Sequence, residues 1–174
     1  MTHRRFIAAT FAAALFGACT TTPPPPAAPV SLTTASPEAM VAAIRATATH
    51  DDAELAVQPL RDPMVEDLRE QAQRLEAQKH YQDAAVALDK ALVLVPDDPA
   101  LMQERAETAL LLRDYAAAER LARQAYAIGA KVGPLCRRHW ATIEQTRLVA
   151  GDGAGAASAK AGIDACKVSG PNRF

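Results

Sequence analysis

A spacing of 34 residues recurs along this chain, and a period of that size constrains the fold more than any composition can. Tyr81 and Tyr115, Ala84 and Ala118, Leu88 and Ala122, and Ala91 and Ala125 each stand 34 apart, as do Ala72 and Ala106 upstream. Periods between about 20 and 50 residues belong to supersecondary units that cannot close a core alone and must stack on copies of themselves. Within one unit the pattern is helical. Val65, Leu68, Ala72 and Leu75 form one apolar stripe at helical spacing, and Tyr81, Ala84, Ala85, Leu88, Ala91, Leu92 and Val95 form a second, wider one. Gln78, Lys79 and His80 make a short polar connection between them. Alanine at the crossing positions lets two helix axes approach where leucine would hold them apart. Aromatic residues are only 5% of the chain, which suits alanine–leucine helix packing better than a sheet sandwich. The expected class is all-α: a short solenoid of about three helical hairpins.

The unit resembles the tetratricopeptide repeat. Small residues fall at the eighth, twentieth and twenty-seventh positions, and Pro96 closes the first unit. A third, degraded unit aligns when Asp152 is placed where His80 and Asp114 stand, which puts Trp140 at the fourth position and Ala156 at the twentieth. It departs from the pattern by extra residues at Gly133 to Cys136, by Arg147 and Lys160 at positions usually apolar, and by Gly153 in place of tyrosine. A more polar last hairpin suits a cap that faces water. The resemblance covers about residues 65–166 and implies antiparallel helix pairs in a right-handed solenoid. It also implies a concave groove lined by the first helix of each repeat. Carried over, the groove positions are Glu66, Arg69 and Gln73, then Ala100, Gln103 and Glu107, then Arg138, Ala141 and Gln145. Such a groove would take a protein or peptide partner by hydrogen bonds and charge pairing. The alternative is that these are ordinary solvated outer positions.

Ahead of the repeats lies an export signal. Met1 to Arg5 is short and basic, Phe6 to Phe16 is apolar and uncharged, and Gly17 and Ala18 are small. This is the order of a secretory signal, and the apolar run is too short to span a bilayer. Phe16-Gly17-Ala18-Cys19 resembles a bacterial lipobox, with Phe16 where leucine is usual. The resemblance implies that Cys19 is acylated and becomes the mature N-terminus, and that Thr20 directs the protein to the outer membrane, facing the periplasm. An ordinary signal peptide with a spare thiol at Cys19 is the competing reading. Residues 20–36 carry four consecutive prolines and no charge. They read as a stiff spacer reaching up to about 50 Å at roughly 3.1 Å per residue. Ser36, Pro37 and Glu38 look like an N-cap, a first-turn proline and an early carboxylate that open a short helix to about Thr47. From Ala48 to Pro63 no period survives. The expected layout is therefore a lipoprotein signal at 1–18, a lipidated cysteine and linker at 19–36, a short helix and irregular lead-in at 37–63, the repeat domain at 64–168 and a tail at 169–174.

Little in the chain points to chemistry. Removing Arg4 and Arg5 leaves 17 basic against 20 acidic residues, a charge of −3 with no basic footprint for nucleic acid. No nucleophile elbow, zinc-protease or P-loop motif occurs. The run GDGAGA at 151–156 follows a helix without strand context and reads as a turn. With Cys19 acylated, Cys136 and Cys166 are the remaining thiols. Export sends them to an oxidising compartment, and the two ends of an antiparallel hairpin lie side by side, so a disulfide between them is expected. Two free thiols, or a zinc site begun by Cys136 and His139, remain as alternatives. No catalytic residue, metal, cofactor or small-molecule substrate is expected. The sequence points to a lipid-anchored periplasmic protein that binds a protein partner as a scaffold or assembly factor, or alternatively modulates an envelope enzyme such as a cell-wall synthase by contact.

Overall fold

Residues 30–48 and 62–167 are described by the computed structural model; Cys19, the signal and the stretches 49–61 and 168–174 lie outside the described residues. Seven helices and no strand occur among the described residues: α1 (Pro37–Ala46), α2 (Pro63–Ala77), α3 (Tyr81–Leu94), α4 (Pro99–Leu111), α5 (Tyr115–Ile128), α6 (Pro134–Val149) and α7 (Gly153–Ala165). Their starts follow local chemistry. Proline stands in the first turn of α1, α2, α4 and α6, where its missing N–H costs no helical bond. Ser36, Asp62, Asp98, Asp114 and Asp152 each accept a hydrogen bond from a first-turn amide of the helix they cap.

The turns inside the three hairpins are built alike. Lys79 and Arg113, 34 residues apart, have φ of 62° and 61°, and Gly151 has 74° at the matching place in the third hairpin. In each turn the next residue's amide reaches five back to the end of the preceding helix: His80 to Leu75 O, Asp114 to Ala109 O and Asp152 to Arg147 O, at 2.8–2.9 Å. This is the left-handed helix stop that satisfies orphan C-terminal carbonyls. Hairpins α2–α3, α4–α5 and α6–α7 then stack through α3 on α4 and α5 on α6. Ala84, Ala91, Ala106, Ala118, Ala122 and Ala125 are buried to within 1% at the crossings, as the 34-residue spacing requires, and Ala85 and Ala109 are buried beside them. Ala116, on the other face of α5, is exposed.

Cys136 in the first turn of α6 and Cys166 at the end of α7 form a disulfide with a Cα separation of 5.7 Å. The bridge closes the last hairpin at its open end. Arg147 pairs with Glu119 and Asp152 rather than entering the core, and Lys160 is exposed.

One expectation changes at the N-terminal side. The last residues of the supposed spacer lie against the domain: the Leu32 amide donates to Leu148 O at 2.8 Å, near Gly153. Leu148 O, in the last turn of α6, also accepts from the Gly151 amide at 3.2 Å, and Leu32 adds a second, shorter hydrogen bond.

Candidate partner-binding site

The first helices of the hairpins form one layer, and α1 lies across it on α4 and α6. The sequence of α1 explains why. Met40, Val41 and Ile44 sit at helical spacing and are 0–3% exposed, Val41 and Ile44 against Ala109, Leu110, Leu111 and Ala141. Polar contacts fix its ends. Tyr81 donates to Glu38 at 3.2 Å, and Arg137 Nε donates to Thr47 O at 2.8 Å. The Arg45 guanidinium donates to Glu107 at 2.8 Å and to both oxygens of Glu76 at 2.7 and 3.0 Å. Burial opposes the Arg45 charge, but its hydrogen bonds to Glu76 and Glu107 outweigh that and hold its pKa above the ordinary arginine value.

This arrangement corrects the groove expected from the sequence. Gln103 and Glu107 are fully buried and offer nothing to a partner: Arg45 of α1 lies on Glu107, and Gln103 is enclosed between Glu107 and the α6 side chains Thr142 and His139. Glu107 accepts from Arg45, from Arg138 Nε at 2.9 Å and from Gln103 at 2.9 Å. The Gln103 amide also donates to Thr142 at 2.8 Å, while its oxygen lies 2.7 Å from His139 Nδ1. The two donors on Gln103 nitrogen leave its oxygen as acceptor, so His139 carries its proton on Nδ1. Burial, with Arg138 and Lys131 nearby, lowers the His139 pKa to about 4, and Nε2 has no hydrogen-bond partner. The result is a polar network joining α1, α4 and α6 in which every charge is paired and His139 Nε2 alone lacks a partner, in a place where one unpaired charge would be costly.

The other groove positions have separate fates. Ala141 is buried under α1, Ala100 is half-buried, and Gln145 is half-buried along α6. Arg69 is held between Glu66 and Glu104, bridging α2 to α4. Gln73 is exposed. Beside α1 an open cleft of about 550 Å³ survives, lined by Arg45, Arg69, Gln73, Glu76, Glu104 and Arg138 among others. Three arginines and two glutamates converge there, each arginine already bridged to a carboxylate. Such a surface suits a polar peptide segment better than a free anion. Arg45 and Glu76 are the site residues that the repeat pattern missed. The signal for Arg45 was present, since Met40, Val41 and Ile44 give a short helix an apolar face that needs a surface to cover.

No group of three or more histidine, cysteine, aspartate or glutamate side chains is placed to hold a metal ion among the described residues. Cys136, half of the zinc alternative, is in the disulfide.

No family model matches the chain, and no curated protein matches it. The solved structure of the globular C-terminal domain of P. aeruginosa LpoP does. The two are 28% identical with a TM-score of 0.58, over 60% of this chain and 99% of that domain.

Proposed function

We propose that this chain is a lipid-anchored protein of the outer membrane whose helical domain faces the periplasm, binds a cell-wall synthase and modulates it by contact. The observation that carries the reading is the likeness to nearly the whole LpoP C-terminal domain, which, like the hairpins here, is a globular unit at the C-terminal side of its protein. That likeness favours the contact modulator over the assembly scaffold that the repeat pattern first suggests. The anchor at Cys19 and the tetratricopeptide character of the hairpins belong to the same reading. The spacing of Tyr81 and Tyr115 and of the paired alanines supports the repeat character.

The cleft beside α1 is the proposed contact surface. Its polar lining offers hydrogen bonds and paired charges to an extended segment, and Gln73 is the groove position left open to solvent. The test is glycan polymerisation by a purified cell-wall synthase of the same cell, with and without the full lipidated chain. A change in rate is expected, and Gln73→Arg should reduce it about tenfold while leaving thermal stability within about 0.5 kcal/mol. No binding and no change in rate would remove the synthase as partner. Labelled palmitate that enters Cys19→Ser as well as the wild type would remove the anchor.

A further inference from the structure

Among the described residues, the first hairpin has one broad face on which no other helix packs. In the second hairpin the corresponding surface is packed against α3: Ala109 is fully buried, and Arg105 pairs with Asp89 of α3 at 2.7 Å. Shifted back by 34, those positions are Leu75 and Gln71. No helix of the described residues covers them. Met64, Val86 and Leu94 are 61%, 44% and 48% exposed on this hairpin, with Leu68 half-buried among them. A groove of about 500 Å³ runs between α2 and α3 past Met64, Leu68 and Leu94, and a smaller hollow of about 290 Å³ continues it past Leu75 and Val86. Apolar surface in a contiguous strip with a charged rim is the composition of a docking face.

The charges on the rim specify the occupant. On α2, Asp67 precedes Arg74 by seven residues, and on α3, Asp83 precedes Lys90 by seven. The midpoint of the first pair lies between residues 70 and 71, and that of the second between residues 86 and 87. Counted from the turn at Lys79, the two midpoints differ by one residue, about 1.5 Å along the hairpin. A single two-fold axis lying in the face, perpendicular to the helices, therefore serves both helices at once. It lays α2 antiparallel on its own copy and α3 on its own copy. Asp67 then meets the other copy's Arg74, Asp83 meets its Lys90, Met64 approaches its Leu75, and Val86 lies beside the axis. Arg74 is free to change partners, since its pair with Glu70 is long, 3.4 Å, and both side chains are well exposed. From this geometry we infer that two copies of the chain pair through the outer face of α2 and α3, as a closed two-fold dimer. The inference does not depend on the identity of the proposed enzyme partner.

Disulfide trapping of the full chain in its own membrane tests it. Val86→Cys places a thiol beside the axis on an exposed position, and mild oxidation should yield a covalent homodimer. Ala157→Cys, exposed on α7 at the far end of the stack, should stay monomeric. Asp83→Lys in the Val86→Cys background should cut the dimer yield about fivefold or more, and adding Lys90→Asp should restore it. A monomeric Val86→Cys protein, equal trapping through Ala157→Cys, or indifference to Asp83→Lys would overturn the proposal. Trapping of Val86→Cys only to a different protein would overturn it too, by showing another occupant on the face.

Discussion

The first and last hairpins share one plan and end the stack in opposite ways. Hairpin α6–α7 turns Gly153, Ala154, Ala157, Ser158 and Lys160 to solvent and is tied by the Cys136–Cys166 bridge. Hairpin α2–α3 turns Met64, Val86 and Leu94 outward and has no cross-link. Inside, the last hairpin holds Trp140 against Tyr126, edge to face at 5.0 Å, and on the backbone of Gly162. The difference shows that a repeat's pattern specifies its hairpin, whereas its place in the stack decides which faces must be covered. A polar end can face water; an apolar end calls for another surface.

The comparison breaks most visibly at the disulfide. Replacing Cys136 and Cys166 together by serine should cost about 3–4 kcal/mol on the chain-entropy account of a 30-residue separation, and hydrogen exchange should localise the loss to α6 and α7. Unchanged protection there would mean that packing alone holds the last hairpin. Next in size is Gly162→Ala. A Cβ at that position would lie 2.4–2.8 Å from the Trp140 ring, so the usual helical gain from alanine should turn into a loss of about 1–3 kcal/mol in thermal unfolding.

The third expectation is a pH effect confined to the α6 side. His139 is neutral in the folded protein with a pKa near 4, against an ordinary 6.5 when unfolded. The unfolded chain thus binds the extra proton between those values. The stability it confers is complete above about pH 6.5 and drains away as pH falls toward 4. Denaturant unfolding at pH 5 should show about 2 kcal/mol less stability than at pH 7, and this component should vanish in His139→Gln. An equal pH slope in the variant would assign the effect elsewhere. The smallest effect lies in the first hairpin. Its helix α3 begins at His80 without a side-chain cap, where the other two hairpins use Asp114 and Asp152. His80→Asp should raise stability by about 0.5–1 kcal/mol, narrowing the gap between the two ends.

Much of this was legible because it is local. The 34-residue period, the Pro37 start, the Ser36 cap and the paired buried alanines all follow from contacts within one helix or hairpin or between neighbours. The cysteine pair was legible for a related reason: antiparallel helices bring residues near their far ends together. Gln103 and Glu107 were misread because the repeat pattern marks them as the exposed edge of a first helix. Nothing in their own neighbourhood announces that α1 lies on Glu107 or that Thr142 and His139 of α6 enclose Gln103.

The sequence by itself therefore determined the helices, their turns and the order of stacking, since each is set by residues a few positions apart or by one repeating interval. Only the tertiary structure decided that α1 fills the middle of the concave layer and that Leu32 closes the end of α6. Those contacts join residues far apart in the chain, 62 positions for Arg45 and Glu107. Their partners are chosen by complementary shape and by the need to pair a buried carboxylate, and neither leaves a periodic trace.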